Sequence, residues 1–188
     1  MKYVFVVVLF IEVALLPIRV IAQRHVKGVS YLEMQAGFVD QWRGSHHQGA
    51  LLYSKIIDRR WHWQAGMVGA IRDTPPQPVS LRVEKYYGQG TAFYTLGSLF
   101  RHSLCFNAGV GPLLGVERIV KPPEGIPLTY TIHDPASKLV IGIQGSVNTE
   151  LFISSSVIIT LNYQQRYANS KIDRLDGVMA LGAKFYLH

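Results

Sequence analysis

Period-two alternation of apolar and polar residues recurs along this chain, and no segment after Gln23 carries a helical period instead. A strand points successive side chains to opposite faces, whereas a helix groups apolar residues at i, i+3 and i+4. From Trp61 one set reads Trp61, Trp63, Ala65, Met67, Gly69 and Ile71, and the interleaved set reads His62, Gln64, Gly66, Val68, Ala70 and Arg72. The first set is apolar and bulky; the second is small or polar. The same two-faced pattern sets Leu32, Met34, Ala36 and Phe38 against Glu33, Gln35 and Gly37. It sets Met179, Leu181, Ala183, Phe185 and Leu187 against Ala180, Gly182 and Lys184. A chain built this way is all-β.

The pattern divides into candidate strands at 29–39, 49–57, 61–72, 79–98, 104–116, 138–152, 157–167 and 177–187. Short gaps such as Asp58-Arg59-Arg60 and Ile153 to Ser156 alternate with longer ones. The longest, 117–137, contains Lys121-Pro122-Pro123-Glu124-Gly125 and His133-Asp134-Pro135, turn-forming residues that end a strand. In 79–98 the alternation shifts phase around Gly88-Gln89-Gly90, which predicts one bulged strand in preference to two strands joined by a turn. An even number of strands, with short turns on one rim and long loops on the other, predicts a single eight-stranded antiparallel outer-membrane β-barrel.

Alternation alone does not say which face is inside. The polar set is rich in Gly, Ala, Asn, Gln and Ser and poor in Lys, which suits the crowded lumen of an eight-stranded barrel better than a solvated surface. Trp61, Trp63, Tyr163, Tyr167 and Phe185 stand towards strand ends on the apolar face, where interfacial girdles form. The apolar set therefore faces lipid. The polar set then places Glu33, Arg72, Arg82, Glu84, Glu150, Arg166 and Lys184 in the lumen, where charges must pair. They read as a structural ion-pair network.

The composition agrees: 48% of the residues are hydrophobic and only 16% charged, too apolar for a disordered chain. The apolar run Tyr3 to Leu16, followed by Val20-Ile21-Ala22, has the layout of a secretory signal peptide cut between Ala22 and Gln23. Residues 1–22 would be removed and 23–188 would form the barrel. Removing Lys2, Arg19 and Glu12 lowers the formal net charge of +7 by one. No cluster of about five or six basic residues occurs, so direct nucleic-acid binding is not expected. The single cysteine excludes an intrachain disulfide.

Motifs for chemistry are sparse. His46 and His47 are adjacent, would point to opposite sides of an extended chain and make a poor chelate; they read as residues of an external loop. Gly109-Val110-Gly111-Pro112 fails as a dinucleotide fingerprint because Pro112 intrudes and no helix follows. His62, on the lumen side, has no Ser or Asp partner evident in the sequence, and Cys105 alternates inward as a packed thiol beside small residues. No catalytic, cofactor-binding or metal-binding residue is assigned.

The close, Gly182-x-x-Phe185-x-Leu187, resembles the C-terminal signal read by the bacterial barrel-assembly machinery. The stretch Gln23 to Phe38, the turn Leu99 to Ser103 with Leu104-Cys105-Phe106-Asn107-Ala108-Gly109-Val110-Gly111, and that close together resemble the conjugative transposon protein TraO family of Bacteroides-type bacteria. The resemblance implies a non-enzymatic outer-membrane component of a conjugative DNA-transfer apparatus, with outer-membrane lipid and other transfer proteins as partners and no cofactor. Three other readings stay open: a general small barrel acting as adhesin, pore or envelope stabiliser; an outer-membrane enzyme; and a soluble lipocalin-like carrier.

Overall fold

The computed structural model describes residues 27–40, 46–73, 82–100, 103–120, 137–154, 156–170 and 174–187. The expected leader and the expected cut at Ala22–Gln23 lie outside them, as does most of the segment 117–137. The strands are β1 (Ser30–Asp40), β2 (His46–Ile56), β3 (Trp61–Asp73), β4 (Arg82–Leu99), β5 (Leu104–Val120), β6 (Lys138–Phe152), β7 (Val157–Ala168) and β8 (Leu175–Leu187). Each pairs antiparallel with its sequence neighbours, and β1 pairs with β8, from Ser30 opposite Leu187 to Asp40 opposite Gly177. The sheet is a closed barrel with no edge left to pair. The shortest strands have 11 residues, enough to cross a bilayer's hydrocarbon layer when tilted.

The outward face is the apolar one. On β3 Met67 is 71% exposed while Gln64 is 1% exposed, the reverse of a protein that buries its apolar side in a water-soluble core. Aromatic residues collect at both ends of this face. Tyr53 and Trp63 lie 5.4 Å apart and Trp61 and Tyr94 lie 5.0 Å apart, centroid to centroid, on the rim of short turns. Phe38, Tyr86 and Tyr167 stand exposed towards the rim of long loops.

β4 is one strand, and its inward residues Val83, Lys85, Tyr87, Gln89, Thr91 and Phe93 keep one unbroken phase through Gly88-Gln89-Gly90. The irregularity expected at Gly88–Gly90 instead lies between Thr95 and Gly97, where Leu96 is the extra residue against β5. At the former place the β4–β5 pairing is interrupted between Gln89↔Leu113 and Ala92↔Val110. Pro112, which has no N–H to donate, stands in that gap. β5 runs on to Val120 and β8 begins at Leu175, so both extend beyond the expected bounds at 116 and 177. His46 and His47 open β2 instead of sitting in a loop, and His47 packs edge-on against Phe38 at 5.7 Å.

Two short turns close by the same device. In Ile57–Arg60 the carboxylate of Asp58 accepts the N–H groups of Arg60 (2.7 Å) and Trp61 (2.8 Å). In the β6–β7 turn the Ser154 hydroxyl accepts those of Ser156 (3.2 Å) and Val157 (3.1 Å). Such side-chain acceptors mimic a backbone turn. The two N–H groups also hold the Asp58 carboxyl below the usual carboxylate range. A depressed folded pKa contributes stability that is present above the ordinary carboxylate pKa and is lost as pH falls through the folded value. Asp58→Asn keeps an acceptor but does not titrate. The urea midpoint of the wild type should therefore exceed that of D58N near neutral pH, and the gap should close on acidification from about pH 5 to about pH 2. A pH-independent gap would show that the charge on Asp58 plays no part.

Candidate functional site: a charged, filled lumen

The lumen is filled by side chains in layers. At the short-turn end Tyr31, Ile56, Cys105, Phe152 and Ile158 form a buried apolar plug. Cys105 thus faces inward as expected, but among large apolar side chains and not beside small ones.

Above this plug lies the first charge cluster. Lys184 of β8 donates to Glu150 of β6 and lies 3.6 Å from Glu33 of β1. Glu33 Oε1 also accepts from Gln35 (2.7 Å) and the Thr160 hydroxyl (2.6 Å), and its Oε2 accepts from the Gln64 amide. Glu33 and Lys184 are 0% and 2% exposed, so these partners replace all their water. His62 of β3 stacks on Phe93 at 4.9 Å and places Nε2 3.9 Å from Glu150.

Beyond a middle layer containing Leu52, Val68, Tyr87, Leu113 and Val140 lies the second cluster, near the long-loop rim. Lys85 Nζ donates to Asp176 at 3.0 Å and lies 3.6 Å from Glu117. Ser170 donates to Glu117. Arg166 donates to Gln48 (2.7 Å) and Gln164 (2.5 Å), with its guanidinium 5.5 Å from the centre of the Tyr87 ring. Arg72 is half-buried on the inner face and interacts electrostatically with Asp176 and Glu117.

Glu33, Glu150 and Lys184 therefore meet in one cluster, while Arg72 and Arg166 belong to the other. Arg82 and Glu84 are corrected. Both side chains are on the outer face of the long-loop rim, 3.7 Å from each other, Arg82 exposed and Glu84 half-buried. At that height β4 has left the hydrocarbon, and charge no longer has to point inward. Val83 and Lys85 fill the lumen positions instead. Lys85, Glu117 and Asp176 are the partners that sequence reasoning missed. The last two fall in the strand extensions, and Lys85 falls on the opposite phase of β4.

Among the described residues four lumen cations (Arg72, Lys85, Arg166, Lys184) face four carboxyl side chains (Glu33, Glu117, Glu150, Asp176), so the formal charges of these eight balance. Two small cavities border the clusters, each about 10 Å³, room for one water at most. The lower one is lined by Ser54, His62, Glu150 and Lys184 together with Tyr31, Ile56 and Ile158. A hydroxyl, an imidazole and a carboxylate are thus close together around a space with room for one water at most. Among the described residues no group of three or more His, Cys, Asp or Glu side chains could hold a metal ion. On β8, Gly182 faces the lumen while Phe185 and Leu187 point outward, 43% and 40% exposed.

No protein-family model matches the chain, and no curated protein matches it. Among solved structures it is similar to Neisserial surface protein A, with a TM-score of 0.62 and 10% identity over 84% of this chain and 97% of that one. It is similar to the N-terminal β-barrel domain of Pseudomonas aeruginosa OprF, with a TM-score of 0.54 and 8% identity over 86% and 98%. It is also similar to Ail, the attachment invasion locus protein of Yersinia pestis, with a TM-score of 0.50 and 13% identity over 86% and 100%. At such identities the fold is what is shared. The chain is an eight-stranded antiparallel barrel of the small outer-membrane type.

Proposed function

We propose that this protein is a non-enzymatic barrel of the bacterial outer membrane that serves a conjugative DNA-transfer apparatus. The observation that carries the anchoring part of the reading is the combination of a lipid-facing apolar belt with a filled, charge-balanced lumen. Such a barrel holds its loops at the surface and offers no lumen wide enough for DNA. The conjugative part rests on the resemblance of Gln23–Phe38, Leu99–Gly111 and the Gly182-x-x-Phe185 close to the TraO family. In this reading the leader ending at Ala22 exports the chain, the barrel-assembly machinery inserts it, and the loops meet other transfer proteins.

The reading is tested by deleting the gene and restoring it in two forms. The full chain should restore transfer in a mating assay. A chain in which residues 122–136 are replaced by a short Gly-Ser linker should insert, migrate as a heat-modifiable barrel, and restore transfer at least about tenfold less well. Full transfer by the knockout would sink the conjugative role. A knockout that transfers normally but leaks periplasmic contents would favour the second reading, an envelope stabiliser, which the same belt and filled lumen also suit.

A further inference from the structure

Among the described residues, the exposed cations of the short-turn rim gather on one side. Lys27, Lys55, Arg59 and Arg60 are all exposed at the ends of β1, β2 and β3. The only acid described among them, Asp58, spends its carboxylate on the N–H groups of its own turn. By contrast the β6–β7 turn, Ile153 to Ser156, carries no charged residue.

The cations stand within an aromatic frame. Arg60 Nη1 donates to the Tyr94 hydroxyl at 2.8 Å, which holds the guanidinium on the outer surface, and Tyr94 packs against Trp61. Lys55 points outward beside Tyr53 and Trp63, between Ser30 of β1 and Trp63 of β3 in register, and the Tyr53 hydroxyl is tied to Ser30 at 2.7 Å. Tyr and Trp in this position mark the headgroup level of the bilayer. Guanidinium and ammonium groups at the same level face phosphate oxygens, which Arg can engage through paired N–H donors.

We infer that this basic, aromatic-framed sector of the short-turn rim binds the headgroups of anionic phospholipids in the adjoining leaflet. The ligand class is a phosphodiester with a net negative charge. It would orient the barrel and gather such lipid around β1 to β4. The inference requires only that the barrel sits in a bilayer and is independent of any role in conjugation.

Trp61 and Trp63 report on this sector directly, and Trp42 is the remaining tryptophan. The full chain with Trp42→Phe is folded into vesicles in which a fixed small fraction of lipid carries bromine high on the acyl chain. In one set that fraction is phosphatidylglycerol and in the other phosphatidylcholine. Bromine quenches only indoles it touches, so the quenching ratio measures local enrichment. The expected enrichment of phosphatidylglycerol is about fivefold, falling towards unity in K55Q/R59Q/R60Q. An equal loss of charge on the other rim, R82Q/R118Q/K138Q, should leave it intact. Should the first triple variant fail to fold, about 1 M salt applied to the unsubstituted rim should abolish the enrichment by screening. Equal quenching by the two lipids at low salt would overturn the inference and leave these cations to an acidic protein partner. Enrichment that persists in the folded triple variant would overturn it as well.

Discussion

Lys184→Met is expected to destabilise the folded barrel by about 3–5 kcal/mol, the scale for removing one partner of a buried ion pair. Lys184 is the cation shared by Glu33 and Glu150, and all three are almost completely withdrawn from solvent. Methionine fills most of the volume, so the loss is electrostatic: two carboxylates would share one buried layer without their ammonium. The structure also says how to repair it. Glu33 has Gln35, Gln64 and Thr160 as donors besides Lys184. Neutralising Glu150 in the double variant K184M/E150Q removes the like-charge contact and leaves one carboxylate with three neutral hydrogen bonds. The double variant should recover roughly half of the loss, with coupling of at least about 1.5 kcal/mol between the two sites. Urea unfolding in detergent micelles, followed by heat-modifiable migration and tryptophan emission, gives all three values. Additive losses would mean that Lys184 acts by packing alone.

This cluster was legible in the sequence because it lies in the middle of strands whose phase is unambiguous. Glu33 sits between Leu32 and Met34, Glu150 precedes Leu151 and Lys184 precedes Phe185, large apolar neighbours that face lipid, so the direction of each charge follows. The second cluster was only partly legible, for a physical reason. Near the long-loop rim the strands rise out of the hydrocarbon, and the rule that apolar residues point outward lapses. In Arg82-Val83-Glu84-Lys85 both alternations contain charge, and hydropathy chooses the wrong one. There the inward direction is set by the register with β3, in which Lys85 pairs with Ala70 on the lumen face. Glu117 and Asp176 were missed because strand ends beyond the bilayer carry no apolar signal to mark them. The position of the bulge was hidden in the same way. A Gly-rich stretch at 88–90 suggests irregularity, yet a Cβ added at Gly88 would meet only the Leu114 carbonyl at 3.7 Å and one at Gly90 nothing within 4 Å, while the real extra residue, Leu96, looks like any lipid-facing leucine.

Gly182→Val should prevent the barrel from closing, whereas Gly145→Val should leave it unchanged. A Cβ built on Gly182 would lie 2.6 Å from the Thr160 hydroxyl of β7, 2.8 Å from the Gln35 side chain and 2.8 Å from the Met34 carbonyl of β1. The crowding therefore comes from both strands that β8 must join, and the Met34 carbonyl cannot rotate away. Overpacking of a filled interior costs about 1–3 kcal/mol where the neighbours can shift, and more where they are backbone. Here the same displacement would also break the hydrogen bond from Thr160 to Glu33 and disturb the Lys184 cluster two residues along. Gly145 has the opposite surroundings. It points to lipid, with nothing within 4 Å of the added Cβ, and a β-branched residue suits an exposed strand position. Folding yields in detergent and vesicles, read as the fraction migrating as the compact form at low temperature, should fall below about a tenth for G182V and match the wild type for G145V. Equal yields would mean that Gly182 is not set by closure. Its place in the C-terminal close would then have to be explained by recognition during assembly, which can be tested separately by comparing insertion in cells with spontaneous folding in vitro.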